Sequence, residues 1–379
     1  MSLQVKILET LKDIDANQWN ALQVSAYPFL RYEFLLALES QGCLGEKYGW
    51  LPRHVTLWKN DRLVGASPLY LKFNSYGEFV FDWSWADAYQ RNGLAYYPKL
   101  VSSSPYTPAT GPKLLLHPEA PSDTRDVLIK ATLELSKHAD ASSIHWLFPT
   151  SNEASWLEQK GFRLRLGCQF HWTNNEYSSF DHYLESFSAQ KRKKVKRERR
   201  RVKEANISFR LLDGNEASDA DWQVFHQLYE STFDKRGGIP TLSLGFFKQI
   251  AETMPESVLL VLAIHENEVV AAAFNLVGEH TLYGRHWGCF EDFHSLHFEA
   301  CYYQGLEYCI EKGLRSFEPG AQGEHKISRG FLPTETWSAH WISHPGFDTA
   351  IKRFVLDEQD GMRDYIEELQ QRSPFKDSA

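Results

Sequence analysis

Residues 57–71 read LWKNDRLVGASPLYL, and residues 263–277 read AIHENEVVAAAFNLV. The two stretches align without a gap at an offset of 206 residues. Each is an apolar run, a polar turn (Lys59-Asn60-Asp61; Glu266-Asn267-Glu268) and a second apolar run, which predicts a β-hairpin. A unit that recurs once in 379 residues predicts a duplicated fold. Upstream, residues 5–11 alternate like a strand and lead to a helix around Trp19. Residues 207–212 do the same and lead to a helix around Trp222, at an offset of 203. Second helices are predicted near 31–41 and 243–253. Downstream, a long helix and a strand fall at 124–139 and 143–148, and again at 296–312 and 315–318. There the offset has dropped to about 171, so the first half holds about 35 extra residues before its long helix. Residues 154–168 predict a short helix, a Gly turn and a closing strand for that half.

The length gives a prior of two domains. With 42% hydrophobic and 24% charged residues, a mostly disordered chain is excluded. No run approaches the ~18 apolar residues of a membrane-spanning helix. The start, MSLQVKILETLKDID, has neither an apolar signal core nor a basic leader, so the expected location is cytoplasmic. Five cysteines, an odd number without CxxC, predict free thiols rather than a disulfide framework or zinc ribbon.

Charge is unevenly placed. Residues 191–204, KRKKVKRERRRVKE, hold ten basic and two acidic residues and carry +8, so the rest of a chain of net −8 carries −16. Such a segment, predicted to be a helix near 181–205, points to a polyanionic partner or to pairing with the acidic body.

The order β-α-α-β-β-(β)-α-β in each half resembles the fold of the GCN5-related N-acetyltransferases (GNAT), duplicated. Two such domains in tandem resemble the FemABX family, the aminoacyl-tRNA-dependent peptidyltransferases of peptidoglycan precursor assembly. The resemblance covers nearly the whole chain. It narrows at residues 81–111, FDWSWADAYQRNGLAYYPKLVSSSPYTPATG, and at residues 282–331, with LYGRHWGC, LHFEACYYQG and FEPGAQGEHKISRGF. These blocks are similar to FemAB-like N-acyltransferases of the peptidoglycan-biosynthesis type. The fold implied is α/β (α+β): two tandem GNAT-like domains with mixed sheets, linked by a basic helix. The first domain would span 1–178 with the aromatic insert 81–111, the linker helix 179–206, and the second domain 207–379, ending in a helix near 348–371.

The activity implied is transfer of an acyl or aminoacyl group to an amine of a large anionic acceptor, such as a cell-wall precursor. The resemblance alone supplies the cell wall. The donor would be aminoacyl-tRNA or acyl-CoA, with no tightly bound cofactor. Such a transfer needs a positioned donor, a path for the amine proton and stabilisation of the tetrahedral oxyanion. Residues 317–331 are the strongest candidate. Gly320, Gly323 and Gly330 allow backbone N–H groups to face a ligand. Glu318 or Glu324 would accept the amine proton, and Lys326 would hold a phosphate or carboxylate. His325 and Arg329 would bind substrate. Glu324, Lys326 and Phe331 match the family pattern.

Other candidates lie outside that segment. The GNAT pyrophosphate turn, Q/R-x-x-G-x-G/A, has its nearest match at Arg285–Phe290. Phe290 stands where Gly or Ala is needed and acidic residues follow, which argues against coenzyme A there. Arg285 and His286 remain candidate substrate contacts. Asp82, Trp85 and Tyr106 of the insert would either cover a substrate or form a small core. The resemblance favours a substrate or tRNA contact by Lys191, Lys194 and Arg197. His294-x-x-His297 lacks further ligands at metal-site spacing, so no metal is expected. The rival readings are an acyl-CoA-dependent N-acetyltransferase of small amines and a non-catalytic RNA-binding protein.

Overall fold

The computed structural model describes residues 3–22, 27–291, 293–321 and 323–376, and for Arg236 the backbone alone. In chain order the first part runs β1 (Gln4–Leu8), α1 (Ala16–Asn20), α2 (Tyr32–Ser40), β2 (Trp50–Pro52), β3 (His54–Lys59), β4 (Arg62–Ser67), β5 (Leu69–Lys72), α3 (Trp83–Arg91), β6 (Lys99–Ser102), β7 (Leu115–Leu116), α4 (Thr124–His138), β8 (Ser143–Leu147), α5 (Ser151–Gln159) and β9 (Arg163–Thr173). The second part runs α6 (Phe180–Glu185), α7 (Ala189–Glu204), β10 (Ser208–Leu212), α8 (Asp219–Arg236), α9 (Leu244–Thr253), β11 (Val258–His265), β12 (Glu268–Val277), β13 (Thr281–Cys289), α10 (Leu296–Phe298), α11 (Gln304–Lys312), β14 (Ser316–Glu318), β15 (Leu332–Ile342) and α12 (Pro345–Gln370). A π-helical turn, Glu299–Tyr303, joins α10 to α11.

Both predicted hairpins form. β3 pairs antiparallel with β4, and β11 with β12. The turn residues Asn60 and Asp61, and Glu266 and Asn267, all have positive φ, the left-handed pair that a tight two-residue hairpin requires. The repeat extends to a defect. The β3–β4 register shifts between Leu57 and Trp58, and the β11–β12 register shifts at Ala263 and Ile264, 206 residues later.

The chain divides into two units, neither continuous in sequence. Unit 1 holds residues 1–168 and 335–365; unit 2 holds 169–334 and 366–379. In unit 1, β1-β3-β4-β7 form one sheet, and β8, β6, β5 and β2 are consecutive neighbours in another. β6 and β8 run parallel over Leu100–Ser102 and Ile144–Trp146. The other edge of β8 is taken by Ser338–Ile342 of β15. In unit 2, β10, β11, β12, β13 and β14 are neighbours, with β13 and β14 parallel. There β14 pairs with Trp172 and Thr173 at the end of β9. The strand expected to close the first half therefore completes the sheet of unit 2, and β15 completes that of unit 1.

The core of unit 1 gathers Val55, Leu57, Leu100, Leu128, Ile144 and Trp146. In unit 2, β11 (VLLVLAIH) is a near-continuous apolar run, as a strand buried on both faces requires. Helix α8 starts at a capping box of Ser218 and Asp221 and packs close to β13. A Cβ on Gly288 would stand 2.1 Å from the Leu228 carbonyl oxygen.

The basic segment differs from the single helix expected. It is two helices, α6 and α7, broken at residues 186–188. Helix α7 is docked into unit 2 through the buried side chains of Val195, Glu198 and Val202. The C-terminal helix forms close to its expected bounds. No helix among the described residues is long and apolar enough to cross a membrane.

Candidate functional site

The site of interest in unit 2 is a fork between two parallel strands. β13 and β14 pair only at Thr281–Ser316, Leu282–Phe317 and Tyr283–Glu318. β13 then continues to Cys289, while its parallel partner ends at Glu318. Gly284 lets the two approach, since a Cβ there would lie 3.1 Å from Pro319 Cα. Across β13, Phe274 faces His286 and Asn275 faces Gly284, so Arg285 is the extra residue of a bulge. Beyond Pro319, Gly320 (φ 95°) and Gly323 (φ 115°) turn the chain into a 3₁₀ helix, Glu324–Arg329.

That short helix points Lys326 inward. Its side chain is 2% exposed, and Nζ donates to the Gly320 carbonyl at 2.6 Å. Burial lowers its pKa to about 8, because a desolvated ammonium is less stable than a hydrated one. Glu318 stands 3.9 Å from His171 Nε2. Burial, with the charge of Lys326, lowers the His171 pKa to about 4, so this imidazole is neutral at physiological pH. One cation, one carboxylate and one neutral imidazole thus collect at the fork.

The neighbours of Lys326 are held by a second network. Arg329, 2% exposed, forks Glu198 of α7 at 2.8 and 3.1 Å and donates to the His325 carbonyl at 2.7 Å. Its guanidinium lies 3.3 Å over the Phe298 ring. Glu198 also accepts from the Tyr303 hydroxyl. Tyr302 Oη is 2.9 Å from His325 Nε2, and Lys194 Nζ donates to Ser328 at 3.1 Å. The buried Arg329–Glu198 pair ties the 3₁₀ helix that carries Lys326 to α7.

The structure separates the remaining candidates. Glu324 faces outward, about half exposed, and accepts from Arg372 at 2.8 Å. Phe331 is fully buried against Tyr302 and Phe317, so it belongs to the core and not to a ligand-facing surface. His286 sits half-buried beside Tyr229, Phe247 and Phe274; burial, with the charge of Arg285, keeps it neutral. In unit 1, Asp82, Trp85 and Tyr106 are interior residues in place of the substrate contacts expected. Asp82 binds Lys99 and accepts from Tyr96 at 2.5 Å. Burial raises its pKa, but Lys99 outweighs that and brings it to about 2. Trp85 packs edge-on to His340, and Tyr106 donates to the Cys43 carbonyl at 2.7 Å. Sequence reasoning missed His171, Lys113 and Glu198. Glu198 was legible as an acid inside a basic run.

In unit 1 the parallel pair is β6 and β8, and the segment at residues 111–113 is tied to the end of β8. Lys113, 1% exposed, donates to the carbonyls of Gly111 (2.8 Å) and Phe148 (3.1 Å). The Gly111 N–H also donates to Phe148 at 3.0 Å. Burying an ammonium on two carbonyls is costly unless those bonds persist, so residues 111–113 are fixed against the end of β8.

Helix α7 presents a different surface. Lys191, Arg192, Lys193, Lys194, Lys196, Arg197 and Arg200, with Gln190, line a groove of about 890 Å³. All three cations expected to touch a polyanion are there. On another face, Arg199 forks Glu299 and Glu307 and stacks 4.4 Å over Phe180. Among the described residues, no cluster of three or more His, Cys, Asp or Glu side chains could hold a metal ion.

The sequence profile of the FemAB-like family, described as peptidoglycan biosynthesis/recognition, matches residues 10–377. No curated protein matches the chain. The structure is similar to that of FemX, with a TM-score of 0.52, 11% identity, and coverage of 93% of this chain and 100% of FemX. It is also similar to the C-terminal domain of a protein assigned as a lysylphosphatidylglycerol synthetase from Agrobacterium fabrum. There the TM-score is 0.56 and the identity 9%, with 90% and 96% of the two chains covered. A third likeness is to L-PGS from Bacillus licheniformis, with a TM-score of 0.51, 10% identity, and 80% and 89% covered. The fold is thus that of tandem GNAT-like acyltransferases.

Proposed function

The chain belongs to the FemAB-like family, and from that premise we propose that this acyl or aminoacyl transferase works at the fork of unit 2, on an amine of a peptidoglycan precursor. The observation that carries the site is Lys326, a buried cation held on the Gly320 carbonyl just past the end of the β13–β14 pairing. The amine nitrogen attacks the donor carbonyl carbon and a C–N bond forms. The carbonyl oxygen becomes an oxyanion, which the Lys326 ammonium stabilises. Glu318 takes the amine proton, directly or through water. Collapse of the intermediate breaks the bond to the ribose oxygen of a tRNA donor, or to the sulfur of an acyl-CoA. Glu318 is preferred over Glu324 as base because it lies at the fork. The groove on α7 supports aminoacyl-tRNA as donor, since seven cations suit a phosphate backbone. This reading sets the reaction in the cytoplasm, needs no metal, and assigns the transfer to unit 2. The lysylphosphatidylglycerol synthetase likeness suggests a second acceptor, the headgroup of an anionic lipid.

The test is a transfer assay with the full chain, offering labelled aminoacyl-tRNA or acyl-CoA as donor and a precursor peptide amine or phosphatidylglycerol as acceptor. Lys326→Met should lower kcat about 10²-fold or more, Glu318→Gln about 10²-fold, and Glu324→Gln less than about threefold. The wild-type rate should fall as pH rises through about 8, where Lys326 loses its charge. Full activity in Lys326→Met would overturn the site. No transfer from either donor to either acceptor would overturn the activity.

A further inference from the structure

Residues 72–83, KFNSYGEFVFDW, fold inside out. Lys72, Ser75, Glu78 and Asp82 are buried, at most 5% exposed. Phe73, Tyr76, Phe79, Phe81 and Trp83 stand in solvent at 50, 69, 42, 55 and 42% exposure. Charges normally face water and rings face the core, so five exposed rings on one short segment mark an interaction surface.

The segment is braced from below. Lys99 donates to Ser75 and Glu78 at 2.8 Å and also binds Asp82. The Tyr76 carbonyl accepts from Trp50 Nε1 (3.2 Å) and Lys72 Nζ (3.0 Å). Arg165 donates to the Phe81 carbonyl at 2.7 Å. Gly77, at φ 78°, makes the turn that sends Glu78 inward; a Cβ there would run into the Tyr106 ring at 2.5 Å. Above this frame, Tyr76 and Trp83 meet edge to face at 5.2 Å between centroids. The backbone of the segment and the Tyr76–Trp83 pair are therefore held in place before any ligand arrives.

We propose that residues 73–83 form a stacking platform for a neutral saccharide, whether or not unit 2 transfers an acyl group. Three features select that ligand. Every exposed large side chain of the platform is aromatic, and flat rings match the C–H face of a pyranose. Tyr76 and Trp83 add a hydroxyl and an indole N–H that can bond to sugar hydroxyls. The platform displays no charged side chain, so it offers no ion pair to a charged ligand.

The test is calorimetric titration of the full chain with chitotetraose, cellotetraose and maltotetraose, beside sedimentation with phosphatidylglycerol–phosphatidylcholine vesicles. At least one tetrasaccharide should bind saturably. Tyr76→Ala and Trp83→Ala should each weaken it about three- to tenfold, and Trp83→Phe, which keeps an aromatic face but loses the indole N–H, by less than Trp83→Ala. Because these rings are exposed, all three variants should melt with the wild type, which separates loss of binding from loss of fold. The proposal is overturned if none of the sugars binds, or if both alanine variants bind as the wild type does. Wild-type capture by vesicles that Trp83→Ala abolishes would identify a membrane contact instead, and ring-dependent self-association would identify a protein contact.

Discussion

His145 and His340 meet Nδ1 to Nδ1 at 2.5 Å, fully buried, although 195 residues separate them in sequence. Each Nε2 faces a hydroxyl, Ser143 at 2.7 Å and Ser338 at 2.8 Å. Both rings are satisfied when neutral, with one Nδ1 donating and the other accepting. A first added proton would place a charge at a fully buried site, and a second would set N–H against N–H across the Nδ1 contact.

Acid should therefore loosen unit 1 through this pair. Burial lowers the His145 pKa to about 3 and holds His340 well below its ordinary 6.5. Between about 3 and 6.5 the unfolded chain binds more protons, so stability is complete above 6.5 and is lost as pH falls. The slope should approach roughly 1.4 kcal/mol per pH unit for each ring. His340→Asn should melt lower at pH 7.5 but show a shallower decline to pH 5. Parallel melting-versus-pH curves for the two proteins would refute this account.

Breaking the Arg329–Glu198 pair from one side should be worse than removing it. Glu198→Ala leaves a guanidinium buried without its carboxylate, at a cost of about 3–5 kcal/mol. Glu198→Met with Arg329→Met should unfold at higher urea than Glu198→Ala. The opposite order in urea melts would show that the buried charge itself is not the problem.

Two glycines should respond oppositely to alanine. At Gly288 the new methyl would meet the Leu228 carbonyl oxygen at 2.1 Å, and about 3 kcal/mol should be lost as α8 is pushed off β13. At Gly361, exposed within α12 with nothing within 4 Å, the gain should be about 0.4–1 kcal/mol from a less flexible unfolded chain. Thermal melts of the two variants decide both, and a Gly288→Ala protein as stable as the wild type would contradict the packing described.

The groove on α7 makes a claim about salt. If it holds a polyanion, replacing Lys191, Lys194 and Arg197 with Gln should reduce the slope of log K against log salt by about 2–3, at roughly 0.7–0.9 per cation. tRNA binding measured from 50 to 300 mM KCl gives that slope, and an unchanged value would remove the groove from the binding surface.

The hairpins were legible because tight turns leave a local mark: Asn60-Asp61 and Glu266-Asn267 sit between apolar runs. Of the parallel strands, β8 and β14 were expected at their positions, but their partners were not. Nothing near Trp172 or Ser338 shows that each completes a sheet whose other strands are distant in sequence, because an edge pairing is made of backbone bonds that any residue can supply. At the fork, Lys326 was readable from its glycine-rich surroundings. Its dependence on Glu198 was hidden by the habit of reading a charge run as solvated. The insert showed its aromatic content plainly, but not which rings would face water.

The placement of β9 and β15 has a consequence for synthesis. Strand β8 emerges early from the ribosome, yet its edge partner, Ser338–Ile342, is made nearly two hundred residues later. Until then the first polypeptide to appear carries an unpaired edge through most of translation, a template for any passing strand. Cutting the gene between the repeats would make that condition permanent for both pieces. Neither product would then be a domain in the sense of a part that can be inherited, expressed or recombined alone. What began as a duplicated unit is now indivisible, and selection must act on the pair.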